Sequence, residues 1–169
     1  RKYSDLDISG KTDIESLRAE LHKKGYTTSV DDSYDDLFFR VYLSDVEPHL
    51  GCPEPLWIYD YPSQMAAYAK TKTDDPHIAE RCELYIAGVE LANGFSELND
   101  EDDQRRRFVE WGKEKEAVTG AKHPLDETFI KAVGKMPGCA GIAVGIERIL
   151  MLLSNSENIS DVMAFKFCE

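Results

Sequence analysis

Residues 79–100 read AERCELYIAGVELANGFSELND. β-Branched and aromatic residues flank Ala87-Gly88, a pattern that predicts two strands joined by a two-residue turn. With that turn, Ile86 faces Val89, Tyr85 faces Glu90 and Glu83 faces Ala92. Residues directly opposite share one face of a sheet, as do residues two apart on a strand. Glu83 and Glu90 therefore fall on one face as diagonal neighbours, about 5–8 Å apart at the backbone. Two carboxylates that close repel each other unless a cation lies between them. A magnesium ion bridging them to a polyphosphate meets that need, since Mg²⁺ takes one or two carboxylates plus phosphate oxygens. On spacing alone, a solvated sheet face is the commoner outcome. Asn93, Phe95 and Glu97 alternate, and in a regular strand they point away from Glu90. A bulge, easiest at Gly94, would turn Glu97 into the same pocket. There its charge suits an ammonium group, with Phe95 against the apolar stem. The start of a turn before the next helix is the other place for Asn93 and Glu97.

A second stretch, residues 138–153, reads GCAGIAVGIERILMLL. It is neither a dinucleotide fingerprint nor a Walker loop. The small and β-branched residues to Val144 predict a strand, and residues 149–153 a buried helix. Glycines on a strand let a flat ligand such as adenine approach the backbone. Arg148, at the helix start, has the fork geometry to pair with phosphate and stack on a base. A salt bridge to a neighbouring glutamate accounts for it equally well.

The rest of the chain reads as helices and connections. Residues 12–24 predict an amphipathic helix, with Thr12 and Glu15 at capping-box spacing and Ile14, Leu17 and Leu21 on one face. A second helix starts near Ser33, carries Leu37, Phe38, Val41 and Tyr42 inward and ends at Pro48. The aspartates at its start suit the helix dipole, and they lack calcium-loop spacing. A short aromatic strand follows at residues 56–61, then a polar connection at 62–77 without clear periodicity. After the hairpin, Asn99 or Asp100 caps a charged helix reaching about Val118, with Phe108 and Trp111 inward. Its Arg105, Arg106 and Arg107 read as a solvated face more readily than as a phosphate site. Residues 126–134 form a short helix. Strands and helices without regular βαβ alternation predict an α+β fold, a mostly antiparallel sheet flanked by helices.

The chain has 169 residues, enough for one domain with a real core, and is 42% hydrophobic and 31% charged. Its 32 acidic and 20 basic residues leave a net charge of −12, which argues against this segment gripping nucleic acid unaided. No apolar run approaches the length of a membrane span, and no signal peptide is visible. Cys52, Cys82, Cys139 and Cys168 are scattered without metal-ligand spacing, as expected of reduced thiols in a cytoplasmic protein. Cys82 and Cys139 lie in apolar runs and are expected to be buried and inert. The chain opens at Arg1, so an excised piece of a longer protein is expected.

Together the hairpin and residues 137–165, PGCAGIAVGIERILMLLSNSENISDVMAF, resemble the C-terminal part of the class II lysyl-tRNA synthetase catalytic domain. The resemblance is strong from Ala79 onward and looser before it. The second block looks like class II motif 3. Within that family the likeness is greatest to shortened paralogues that attach β-lysine to elongation factor P. It rests on VEPHLG at 46–51, on HPLDETFIKAVGKMPGCAG at 123–141, and on Ala143, where lysyl-tRNA synthetases usually carry glycine.

The resemblance implies ATP and Mg²⁺ as cofactors, with Glu83 and Glu90 as metal ligands. It places Glu90, Leu91 and Gly145 at the nucleotide and gives Arg148 a catalytic contact with the terminal phosphate. Asn93, Phe95, Glu97 and Ala143 would shape the pocket for lysine or β-lysine. Glu147 departs from the family's usual aspartate. Motifs 1 and 2 are absent from the chain. The expectation is therefore an adenylate-forming ligase acting on elongation factor P, homodimeric when complete and inactive as this segment alone. A lysyl-tRNA synthetase charging tRNA, or a synthetase-like binding module that has lost chemistry, are the rival readings. Retention of Glu83, Glu90 and Arg148 counts against the last.

Overall fold

The hairpin is the centre of the computed structural model, which describes residues 3–8, 10–11 and 13–165. Strands β2 (Ile78–Ile86) and β3 (Val89–Ser96), numbered in chain order, meet at Ala87 and Gly88. Their φ angles of 52° and 77° form the mirror-image turn that matches strand twist. Strand β1 (Leu56–Pro62) pairs with β2, and β4 (Ala140–Val144) with β3. The sheet order is β1-β2-β3-β4, and every pairing is antiparallel. With helices flanking it, the expected α+β fold is what these residues form.

Helix α1 (Ile14–Lys23) is capped by Asp13, whose carboxylate accepts the Ser16 N–H at 2.8 Å. The cap thus sits one residue beyond the expected Thr12, which lies outside the described residues. Helix α2 (Tyr34–Val41) opens on a reciprocal box between Ser33 and Asp36. It runs on through one wide turn (Tyr42–Val46) and a tight one (Glu47–His49) containing Pro48. Leu6, Leu17, Leu21, Leu37 and Val41 join these two helices in one cluster. A second cluster, Tyr42, Leu50 and Tyr85, fastens the helical layer to one face of the sheet. Residues 62–77, which showed no period, lie along the sheet end: Lys70 N–H donates to the Ser96 carbonyl and Glu80 N–H to the Lys70 carbonyl.

Helix α3 (Glu101–Thr119) is capped by Asp100. Its buried face differs from the expected one: Gln104 and Arg107 are buried, while Trp111 is partly exposed and meets Tyr68 and Phe108 at the surface. Arg107 Nη1 donates to the carbonyls of Ala67 and Ala69, both at 2.9 Å, and Asp103 holds its other edge at 2.7 Å. Arg105 and Arg106 pair with acidic neighbours, so the triplet is structural. Burial raises the Asp103 pKa, but Arg107 and Arg106 outweigh it and hold the carboxyl below its ordinary value of 3.8. Replacing Asp103→Asn is expected to cost about 1–2 kcal/mol at neutral pH, measured by urea unfolding. A lowered folded pKa stabilises above the unfolded value, so this difference should be full above pH 4. It should vanish as pH falls through the folded value.

Helix α4 (Glu127–Val133) precedes β4, and α5 (Ile146–Leu153) follows it. Residues 149–153 were expected to be buried. Instead no residue of α5 is buried and Leu153 is 79% exposed, because none of the described residues covers its outer side. The sheet face opposite the helical layer is similarly open, showing Trp57, Tyr59, Ile142 and Val144. Cys82 is half-buried and Cys139 exposed, against the expectation of buried thiols, and Cys168 lies outside the described residues.

Candidate active site

The site is built by one extra residue. Tyr85 faces Glu90 as expected, but Leu84 then faces Ala92 and Glu83 faces Asn93. Leu91 is the inserted residue, so the bulge lies three positions before Gly94. Its effect is the one the chemistry needs, since one added residue reverses the alternation of everything after it. Arg81, Glu83, Tyr85, Glu90, Asn93 and Phe95 therefore share a face. Across β3–β4, Asn93 pairs with Ala143 and Phe95 with Gly141, which puts both on that face too. Glu97 completes the row: a Cβ built on Gly141 would stand 2.6 Å from Glu97 Oε1. The missing side chain of Gly141 is the space that carboxylate occupies.

The bulge also places α5. Gly145, at the helix cap, donates its N–H to the Leu91 carbonyl at 2.9 Å. Arg148 lays its stem along Gly145 and donates from Nη1 to the Glu90 carbonyl at 2.8 Å. The same nitrogen lies 3.7 Å from Glu90 Oε2. Leu91, expected beside a nucleotide, is 6% exposed and serves through its backbone. The Arg148 side chain is 47% exposed, so its pairing with Glu90 is a surface ion pair worth about 0–1 kcal/mol. A ligand bringing both a cation and a phosphate could take one partner each at little cost.

Glu83 is a different kind of group. It is 5% exposed. Oε1 accepts from Arg81 Nη2 at 2.6 Å and Asn93 Nδ2 at 2.8 Å; Oε2 accepts from the hydroxyls of Tyr61 at 2.5 Å and Tyr85 at 2.9 Å. A carboxylate has about four lone-pair sites, and here each meets a donor. Asn93 Nδ2 also lies 3.4 Å from Glu90 Oε1, so one amide joins both carboxylates. The two carboxylates expected to share a metal thus differ in their surroundings. With a guanidinium, an amide and two hydroxyls donating to it, Glu83 is an internal hydrogen-bond acceptor. Glu90 is the carboxylate open to a cation. Among the described residues no three His, Cys, Asp or Glu side chains converge on a metal-sized space.

Arg81, Tyr61 and Tyr85 were not singled out from the sequence. Arg81 and Tyr85 lie two residues either side of Glu83, so strand alternation alone places all three on one face. Nothing local announces Tyr61, which arrives from β1. Burial raises the Tyr61 phenol far above its usual range, with Glu83 and Tyr42 adding to the effect; burial and then Tyr42 do the same for Tyr85. Both stay protonated donors.

Residues 11–167 match the family model for tRNA synthetases class II (D, K and N). The chain is 39% identical over 167 residues, 97% of its length, to a Proteus mirabilis protein named elongation factor P–(R)-β-lysine ligase. It is 39% identical over 156 residues to the Hamiltonella defensa protein of that name, and 40% over 136 to the Pectobacterium carotovorum one. These alignments cover 51%, 48% and 42% of the relatives, so the chain spans about half the length of the curated relatives it matches.

Proposed function

The chain belongs to the class II tRNA synthetase family (D, K and N), and from this we propose that its complete protein is an ATP-dependent ligase. It activates lysine or β-lysine as an adenylate and transfers it to a lysine of elongation factor P. The observation that carries the reading is the bulge at Leu91, which gathers Glu90, Asn93, Phe95 and Glu97 opposite Gly141 and Ala143. An anionic end at Glu97 suits an ammonium, Phe95 lies beside the stem, and the Ala143 methyl narrows the pocket across from Asn93. At the other end Arg148 would meet phosphate. Magnesium, which here would neutralise phosphate charge, fits at Glu90, since one carboxylate plus phosphate oxygens suffices. Relatives named for β-lysine and elongation factor P support that substrate and acceptor. No described helix is long and apolar enough to cross a membrane.

The test is amino-acid-dependent pyrophosphate exchange by the full-length protein, followed by acceptor labelling. Exchange with lysine or β-lysine, then label on elongation factor P, is the expected result. Label on tRNA would select the tRNA ligase instead, and no exchange with either amino acid would overturn both. Substituting Gly141→Ala is expected to raise KM for the amino acid about tenfold, with a smaller change in kcat, because the new methyl must push Glu97 aside. Equal KM in the variant and the parent would show that Glu97 does not meet the amine.

A further inference from the structure

A line of hydroxyls runs from the helical layer to the floor of this site. Tyr42 donates to the Tyr85 oxygen at 3.0 Å and lies 3.5 Å from that of Tyr61. Tyr85 and Tyr61 both donate to Glu83 Oε2. All three rings are buried, Tyr42 and Tyr85 in the cluster with Leu50, Tyr61 in that with Ala66, Ala69 and Ala79. The direction of the Glu83 carboxylate is thus set by two apolar clusters, one of them carrying Phe95 of the pocket against its edge. Its other oxygen then determines which way Asn93 lies. The Asn93 Nδ2 atom meets the two carboxylates, and Oδ1 lies 3.4 Å from Arg81 Nε. Reversing the amide would set its oxygen against Glu83 and its NH₂ against a guanidinium. The Arg81 guanidinium is itself held by the Met65 carbonyl at 2.9 Å and lies 4.6 Å over the Tyr61 ring. The conformation of the pocket floor follows from hydrogen bonds rooted in buried tyrosine hydroxyls.

We propose that Tyr61 and Tyr85, with Tyr42 behind them, are positioning residues. Their hydroxyls lock Glu83, and Glu83 locks the Asn93 amide and Arg81 into the arrangement that presents Glu90 and the pocket floor. Tyr42 acts through Tyr85, which makes the seating of α2 on the sheet part of the site's geometry. The kinetic consequence rests on the ligase reading above; the lock itself rests on the hydrogen bonds.

The test compares Tyr61→Phe, Tyr85→Phe, the double variant and Tyr42→Phe in the full-length protein, each with Glu83 intact and with Glu83→Gln. Exchange kinetics and urea unfolding are measured on all. With Glu83 present, the double variant should lose about 10- to 100-fold in kcat/KM while fully folded at the assay temperature. In the Glu83→Gln background the same two changes should alter kcat/KM less than about twofold, since no carboxylate remains to be oriented. Tyr42→Phe should show a smaller loss in the same direction. Full activity in the double variant, or losses that multiply independently of Glu83, would overturn the proposal. If the parent protein exchanges nothing, the ligase reading fails by itself. The unfolding cycle then decides the lock: non-additive stabilities of the tyrosine and Glu83 changes uphold it, and additive ones remove it.

Discussion

Arg148→Ala is expected to lower nucleotide-dependent activity by about 10²–10³-fold, the usual loss when one preorganised donor to developing charge is removed. The guanidinium is held at the site without being consumed by the fold. Its stem rests on Gly145, one nitrogen reaches the Glu90 carbonyl, and 47% of the side chain is exposed. The same exposure predicts that stability hardly changes, because the ion pair lost is worth about 0–1 kcal/mol. Arg148→Lys should recover only part of the activity, since an ammonium keeps the charge without the bidentate fork. Pyrophosphate exchange with unfolding curves on the same samples separates the two effects. A variant that loses activity only as it loses folded protein would show that Arg148 is a structural ion-pair residue and has no role at phosphate.

Gly51→Ala is expected to produce the largest loss of stability of any single methyl addition in the chain, at least about 3–4 kcal/mol. Two independent reasons combine there. The residue has φ of 69°, and a Cβ would stand 2.5–2.7 Å from the backbone of Tyr85 and Ile86. Backbone cannot swing aside as a side chain can. The approach is that close because the hairpin turn hangs on this loop: the Gly51 carbonyl accepts Ala87 N–H at 2.8 Å, and the Leu50 carbonyl accepts Gly88 N–H at 2.9 Å. Gly88→Ala provides the control. Gly88 has φ of 77° but open space around it, so only the left-handed backbone resists, at about 1–2 kcal/mol. Urea midpoints for the two variants measure the difference. Similar losses for both would mean that the loop does not carry the turn.

Some of this was legible in the amino-acid order because it depends on neighbours. The turn at Ala87-Gly88 and the pairing of Ile86 with Val89 and Tyr85 with Glu90 follow from a two-residue loop and a period of two. The box at Ser33 and Asp36 and the cap at Asp100 are equally local. The need for a bulge to bring Glu97 and Asn93 to the side of Glu90 was also legible, because alternation forbids it otherwise.

The position of that bulge was decided elsewhere. Glycine allows a bulge at residue 94, but the carbonyls of Glu90 and Leu91 are the ones that receive Arg148 and Gly145 from more than fifty residues away. Those bonds place the insertion at Leu91. The state of Glu83 was hidden for the same reason. Two glutamates seven apart on a hairpin look alike in sequence, yet one meets Tyr61 from β1 and, through Tyr85, Tyr42 from the helical layer, while the other meets a half-exposed arginine. Local order alone determined the hairpin and the face its carboxylates needed. Only tertiary packing decided which carboxylate is buried among donors and which remains open to a cation, because the donors that distinguish them come from other elements of the fold.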